Sequence, residues 1–169
     1  TALFTKFMYE TATETHRSLQ RSLKQMNVKT PFTANNYDRL LAANGLYDAF
    51  GYVDNHFYHD HPAFVNRPWS LPYSFSCASS VRQMTSSLRL QFPVRRLDKP
   101  FSITEYSYVM PNPYRAEGGA LVGAYAAFQD WDMLCRFYWG GGKIDLVTKP
   151  GHMEGFSVVN DPIALMSER

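Results

Sequence analysis

Glu105 makes the clearest chemical demand on its surroundings. It lies in Pro100-Phe-Ser-Ile-Thr-Glu105-Tyr106, a stretch whose aromatic and β-branched residues predict a strand. A carboxylate among Phe, Ile and Tyr must be paired, solvated or functional, because burying it alone is costly. One use is a salt bridge to Arg95, Arg96 or Arg115. The other is a nucleophile or an acid/base at a strand end.

His56 and Tyr58 come next. In Phe50-Gly-Tyr-Val-Asp-Asn-His-Phe-Tyr58 a strand alternation puts Asp54, His56 and Tyr58 on one side. They serve either as a hydrogen-bonded core histidine and an amphipathic tyrosine, or as a cleft-lining pair that orients a carboxylate and ligand hydroxyls. Residues 54 to 61 also hold three His and two Asp, which are suitable metal-ligand types. A metal-dependent hydrolase using His56, His59 and His61 is therefore a third reading. A strand puts His56 and His59 on opposite faces, however, and the only other histidine downstream is His152, so no metal or cofactor is expected. Trp139 ends a further strand beside Gly140-Gly141-Gly142; it is either a core cap or an aromatic floor for a sugar ring. The glycines lack a phosphate-binding framework, and no GxSxG surrounds any serine.

The elements that must carry these groups follow from periodicity. Phe4, Met8, Ala12, Thr15, Leu19, Leu23 and Met26 recur in steps of three and four, predicting one face of a long helix capped by Asn27. Residues 28 to 36 predict a short strand ending at Asn35 and Asn36, with Pro31 near its start. A short helix follows over Asp38 to Ala43. The Pro- and Ser-rich stretch from His59 to Lys99 reads as a long excursion with one helix, Ser79 to Leu90, of the kind that forms a substrate-side loop. Arg115 to Gln129 predicts a helix whose Ala116, Ala120, Ala124 and Ala127 would let it lie close to a sheet. Met133 to Trp139 predicts the last strand. Strands alternating with helices imply an α/β fold with a parallel sheet. Polar residues at three strand ends (Asn35 and Asn36, His56, Glu105) favour part of a (β/α)8 barrel, whose chemistry sits at that rim.

Composition bounds the rest. At 169 residues the chain suits a single domain, and 45% hydrophobic with 19% charged residues makes it globular. A net charge of +2 without a block of one sign leaves no nucleic-acid footprint. No apolar run approaches the roughly 18 to 20 residues of a membrane helix. Aromatic residues at 15% fit either a ligand cleft or a packed core. Cys77 and Cys135 form no motif; two buried free thiols are expected, with a disulfide as the alternative. The opening has no signal-peptide design and no initiating Met, and looks like a cut inside a larger protein or a processed product.

Lys99-Pro-Phe-Ser-Ile-Thr-Glu105-Tyr resembles the seventh-strand motif of clan A glycoside hydrolases, a KPxxxTE strand that ends at the catalytic nucleophile. Thr30-Pro-Phe-Thr-Ala-Asn-Asn36 is similar to their fifth strand, and Tyr52-Val-Asp-Asn-His-Phe-Tyr58 to their sixth. Gln129-Asp-Trp-Asp-Met-Leu-Cys-Arg-Phe-Tyr-Trp139 resembles the end of the seventh helix and the eighth strand, whose terminal Trp commonly floors the sugar site. The resemblance covers about residues 1 to 140. It implies the C-terminal half of a TIM barrel, strands five to eight, with a long loop insertion after the second strand of this chain. It further implies retaining hydrolysis of the O-glycosidic bonds of oligo- or polysaccharides. Glu105 would be the nucleophile, with His56 and Tyr58 beside it, Asn35 or Asn36 at the rim, and Trp139 against the sugar.

The clan's acid/base is a Glu following Asn at the end of the fourth strand, and no Asn-Glu pair occurs in these residues. The opening helix matches the one after that strand, so the resemblance places the acid upstream of Thr1. The expected partners are a carbohydrate substrate and either the N-terminal half-barrel or a second copy of the chain, since an open half-barrel exposes two edges. A secreted or periplasmic location follows from the substrate class. The alternative function is a carbohydrate-binding or scaffold module that keeps the cleft without catalysis.

Overall fold

The computed structural model describes residues 2–36, 45–140, 155–159 and 161–169. The first element is the expected long helix, α1 (Ala2–Gln25). It ends as its sequence requires: Asn27 adopts φ 60°, and the N–H groups of Asn27 and Val28 return to the carbonyls of Lys24 and Leu23. Those two bonds are a Schellman closure, which Asn tolerates better than most residues.

The helix is turned differently from its hydrophobic periodicity. Tyr9, Ala12, Thr13, His16 and Gln20 face inward, while Leu3, Phe4, Phe7, Met8 and Leu19 are exposed. Polar anchors set this rotation. Tyr9 donates to the Gly45 carbonyl at 2.9 Å, Gln20 donates to the Ala49 carbonyl, and the His16 ring meets Phe50 edge-on at 4.8 Å.

The sheet forms from fewer strands than expected. Strands β1 (Val53–His59), β4 (Phe101–Tyr108) and β5 (Met133–Arg136) make a parallel three-stranded sheet in that order. Two-residue strands β2 (Ala63–Phe64) and β3 (Tyr73–Ser74) pair as a separate antiparallel hairpin inside the long excursion. The chain is thus mixed α/β with a small parallel sheet.

Residues 28–36 are not a sheet strand. Pro31 has no N–H to give and Asn35 is left-handed at φ 62°, so the backbone makes isolated contacts: Gly51 N–H to the Phe32 carbonyl and His56 N–H to the Asn36 carbonyl. The helix expected over residues 38–43 lies outside the described residues. In the excursion the expected helix is cut to one α-helical turn, α2 (Ser86–Arg89), followed by a 3-10 turn at Phe92–Val94, because Met84 and Thr85 are left-handed and break the run before it.

Helix α3 (Glu117–Gln129) buries Gly118, Val122 and Ala126, one every four residues. The alanines expected to do this, Ala116, Ala120, Ala124 and Ala127, face solvent. The close approaches are at glycines instead. A Cβ on Gly118 would sit 2.6 Å from the Tyr108 ring, and one on Gly119 would strike the Ser167 carbonyl at 1.8 Å.

The last strand stops at Arg136 rather than at residue 139, because the chain turns away and residues 138 and 139 bond to 156, 158 and 159. A short helix, α4 (Pro162–Ser167), then closes the described chain; Asp161 caps it by accepting from the N–H groups of Ile163 and Ala164. Cys77 and Cys135 are free as expected, but both are exposed rather than buried. Among the described residues no helix is long and apolar enough to cross a membrane.

The core lies on one face of the parallel sheet. Val53, Phe57, Phe101, Ile103, Tyr106 and Tyr108 pack there with Leu88, Val94 and Val122, flanked by Leu121, Tyr125, Trp131 and Leu134. Asn55 and His59 share that face: Asn55 donates to buried Gln91 at 2.6 Å, and His59 donates to the Ala78 carbonyl at 2.8 Å. That leaves the opposite face for chemistry.

Candidate active site

The register of the parallel sheet decides which side chains meet. Asp54 pairs with Ser102 and Asn55 with Ile103, but His56 pairs with Glu105. Thr104 is therefore an extra residue, a β-bulge, and β5 sees the same shift between Ile103 and Tyr106. Strict alternation from Ser102 would have sent Glu105 to the core side with Ile103. The bulge turns both Thr104 and Glu105 to the face of Asp54, His56 and Tyr58.

Asp54 holds that bulge in place. A bulge residue's N–H has no ladder partner, and here the Asp54 carboxylate takes it at 3.1 Å. The same carboxylate accepts from the Ser102 hydroxyl at 2.6 Å and the Thr104 hydroxyl at 2.5 Å. Asp54 is buried, so these donors are what makes its charge tolerable there.

The Thr104 hydroxyl has one hydrogen, and Asp54 can only accept. Thr104 therefore accepts in turn from His56 Nε2, 2.8 Å away. That contact fixes the imidazole plane and turns Nδ1 to Glu105 Oε2 at 3.3 Å. Tyr58 completes the arrangement by donating its phenol to the same oxygen at 2.5 Å. Both contacts fall on Oε2. Among the described residues Oε1 has no partner and is the oxygen free to act on a ligand, and the side chain is 34% exposed, enough to be reached.

The arginines considered as partners for Glu105 are used elsewhere. Arg95 donates to the Gln129 and Asp130 carbonyls, Arg96 pairs with Asp48 and Asp98, and Arg115 pairs with Asp161. Lys99 acts at the far end of the sheet, where it donates to the Asp48 and Phe50 carbonyls. Asp132 accepts from the Phe101 N–H at 2.7 Å, tying the starts of β4 and β5 together.

Of the expected site residues, Glu105, His56 and Tyr58 are brought together directly. Asn36 joins through its backbone, whose carbonyl accepts from the His56 N–H at 2.7 Å. The Asn35 and Asn36 side chains are exposed, and Trp139 is 69% exposed rather than a cap on the core. His56 and His59 stand on opposite faces, and among the described residues no three His, Cys, Asp or Glu gather as metal ligands would.

Asp54, Ser102 and Thr104 were missed as site residues. Their signal is in the spacing of the apolar positions: Phe101, Ile103, Tyr106 and Tyr108 step by two, three and two. The step of three is the bulge.

Beside this cluster lies a wall of rings. The Tyr58 ring meets Phe156 edge-on at 5.4 Å, His61 at 5.7 Å and Phe137 at 6.0 Å. One turn further on, Asp60 anchors the excursion. Its carboxylate accepts from the Ser76 N–H and hydroxyl, the Cys77 N–H and Asn112. Burial pushes the Asp60 carboxyl up, but these donors together outweigh it and hold the group below its ordinary value.

Compared with known proteins, the chain matches no family model, no curated protein and no solved structure.

Proposed function

We propose that this chain is the C-terminal half of a (β/α)8 barrel and carries the nucleophile of a retaining glycoside hydrolase. The observation that carries the proposal is Glu105 itself. It is a half-buried carboxylate in the middle of the parallel strand β4, three residues before the strand's end rather than at it. Tyr58 holds one oxygen at 2.5 Å with His56 Nδ1 3.3 Å away, and among the described residues the other oxygen is free. In this reading Oε1 attacks the anomeric carbon as the leaving oxygen departs, forming a covalent glycosyl-enzyme. Water then displaces Glu105 from the same carbon. The Tyr58 phenol fixes the carboxylate's direction of attack.

The reaction also needs an acid to protonate the leaving oxygen, about 5 to 5.5 Å from the nucleophile. Asp54 does not suit that task, because its carboxylate is buried and engaged with Ser102 and Thr104. In this reading the acid comes from the other half-barrel or from a second copy of the chain. The exposed stripe of Leu3, Phe4, Phe7, Met8 and Leu19 on α1, together with Met133, 44% exposed on the site face of β5, supports a surface made to be covered. A carbohydrate substrate and a secreted or periplasmic setting belong to the same proposal.

The test is Glu105→Gln in the complete polypeptide that bears this segment. Turnover of glycosides should fall by at least about 10^4-fold, as for removal of other covalent nucleophiles, with the circular dichroism spectrum unchanged. Wild-type turnover by the variant would remove Glu105 from that role. Tight sugar binding without cleavage by the complete wild-type protein would favour the non-catalytic module.

A further inference from the structure

The hairpin β2–β3 sets a second aromatic residue at the site that the reaction scheme does not use. Trp69 lies between its strands and is 63% exposed. Its backbone is left-handed, φ 61°, a conformation that a bulky side chain adopts only when its surroundings impose it. Those surroundings are specific. The Tyr73 phenol donates to the Trp69 carbonyl at 3.1 Å, and the indole contacts Phe64 at 4.9 Å, His61 at 5.7 Å and Phe156 at 6.0 Å. All three neighbours are tilted or edge-on, at 57° to 71°, so none stacks flat against the indole.

The indole is connected to the candidate nucleophile. His61 and Phe156 each contact both Trp69 and Tyr58, and Tyr58 holds Glu105. Trp69 thus stands two ring contacts from Tyr58, each with centroids 5.4 to 6.0 Å apart. His61 adds a polar group. Its Nδ1 lies 2.9 Å from the Pro62 carbonyl, which can only accept, so Nδ1 carries the hydrogen. With a single hydrogen placed on Nδ1, the exposed ring presents Nε2 as an acceptor for a hydroxyl. An apolar plate beside a hydroxyl acceptor matches the two kinds of surface that a pyranose presents.

We propose that Trp69 and His61 form a subsite for the sugar ring adjoining the one at Glu105, so that the substrate is an oligosaccharide or longer chain. This rests on the glycosidase reading. The indole takes the C–H face of the neighbouring ring, and His61 Nε2 accepts one of its hydroxyls.

The experiment compares Trp69→Ala with wild type in the complete polypeptide. The probes are gluco-, galacto- and manno-configured monosaccharyl fluorides, which carry no neighbouring ring, and the di- to tetrasaccharides of each sugar. The ratio of kcat/KM for the oligosaccharides to that for the fluoride should fall at least about tenfold, with partial recovery in Trp69→Tyr. An unchanged ratio with the fluoride still cleaved overturns the subsite and leaves the nucleophile assignment standing. An equal fall on both probes makes Trp69 a structural residue and also overturns it. Wild-type protein that cleaves neither probe defeats the hydrolase reading, and the subsite with it.

Discussion

The two faces of the parallel sheet are made from the same two strands and behave oppositely. On one, Val53, Phe57, Phe101, Ile103, Tyr106 and Tyr108 bury apolar area, helped by a stacked pair of rings, Phe57 on Tyr106, at 5.7 Å. On the other, hydrogen bonds join Asp54, Ser102, Thr104 and His56, and His56 Nδ1 stands 3.3 Å from the partly exposed Glu105, which accepts from Tyr58. The first face supplies stability without direction, since apolar packing is roughly proportional to area. The second supplies direction, because each hydroxyl has one hydrogen and each carboxylate oxygen a limited set of donors. What separates them is one extra residue in β4.

That contrast predicts different consequences for substitutions only one position apart. Phe57→Ala removes a fully buried ring from the packed face and should cost about 3 to 5 kcal/mol in denaturant unfolding. A cost below about 1 kcal/mol would mean that this face is not the core. Tyr58→Phe should do the reverse. It removes the hydroxyl on Glu105 Oε2 and should lower kcat about 10- to 100-fold, roughly 1.4 to 2.8 kcal/mol in the barrier, with little change in stability. Equal losses of stability in the two variants would erase the distinction between the faces.

Asp60→Asn probes the join between sheet and excursion, with an expected cost of about 1 to 2 kcal/mol at neutral pH. The Asp60 carboxyl is held below its ordinary value of 3.8 in the fold, so its contribution is complete above that value. It is lost as pH falls through the lower folded value. The difference in melting temperature between wild type and variant should therefore shrink on acidification below about pH 4. A difference that stays constant down to pH 2 would separate the loop's stability from the charge.

Much of the site was legible because it follows from local rules. Alternation in β1 alone puts Asp54, His56 and Tyr58 on one side, and the structure keeps them there. Helix α1 was readable from its period and its Asn27 cap, and α3 from its run of small and apolar residues. Helix α4 went unread: Asp161 followed by Pro162 is a cap followed by a first-turn proline, but its six residues are too few for periodicity to reveal. The expected strand over 28–36 failed for a different reason. A strand is defined by its neighbours, and Pro31 and left-handed Asn35 prevent these residues from forming a continuous ladder.

The sequence by itself determined the chemical groups, the face that Asp54, His56 and Tyr58 share within β1, and where α1 ends. These depend on dihedral preferences and contacts a few residues long. Only the tertiary structure decided that Tyr58 meets Glu105 across 47 positions, that Trp69 reaches the same wall of rings, and that α1 turns its polar anchors inward. Each of these outcomes is a balance among distant partners. The bulge at Thr104 lies between the two categories. Its spacing is written in Phe101, Ile103 and Tyr106, but its purpose is visible only once Asp54, on another strand, accepts the N–H that it leaves unpaired.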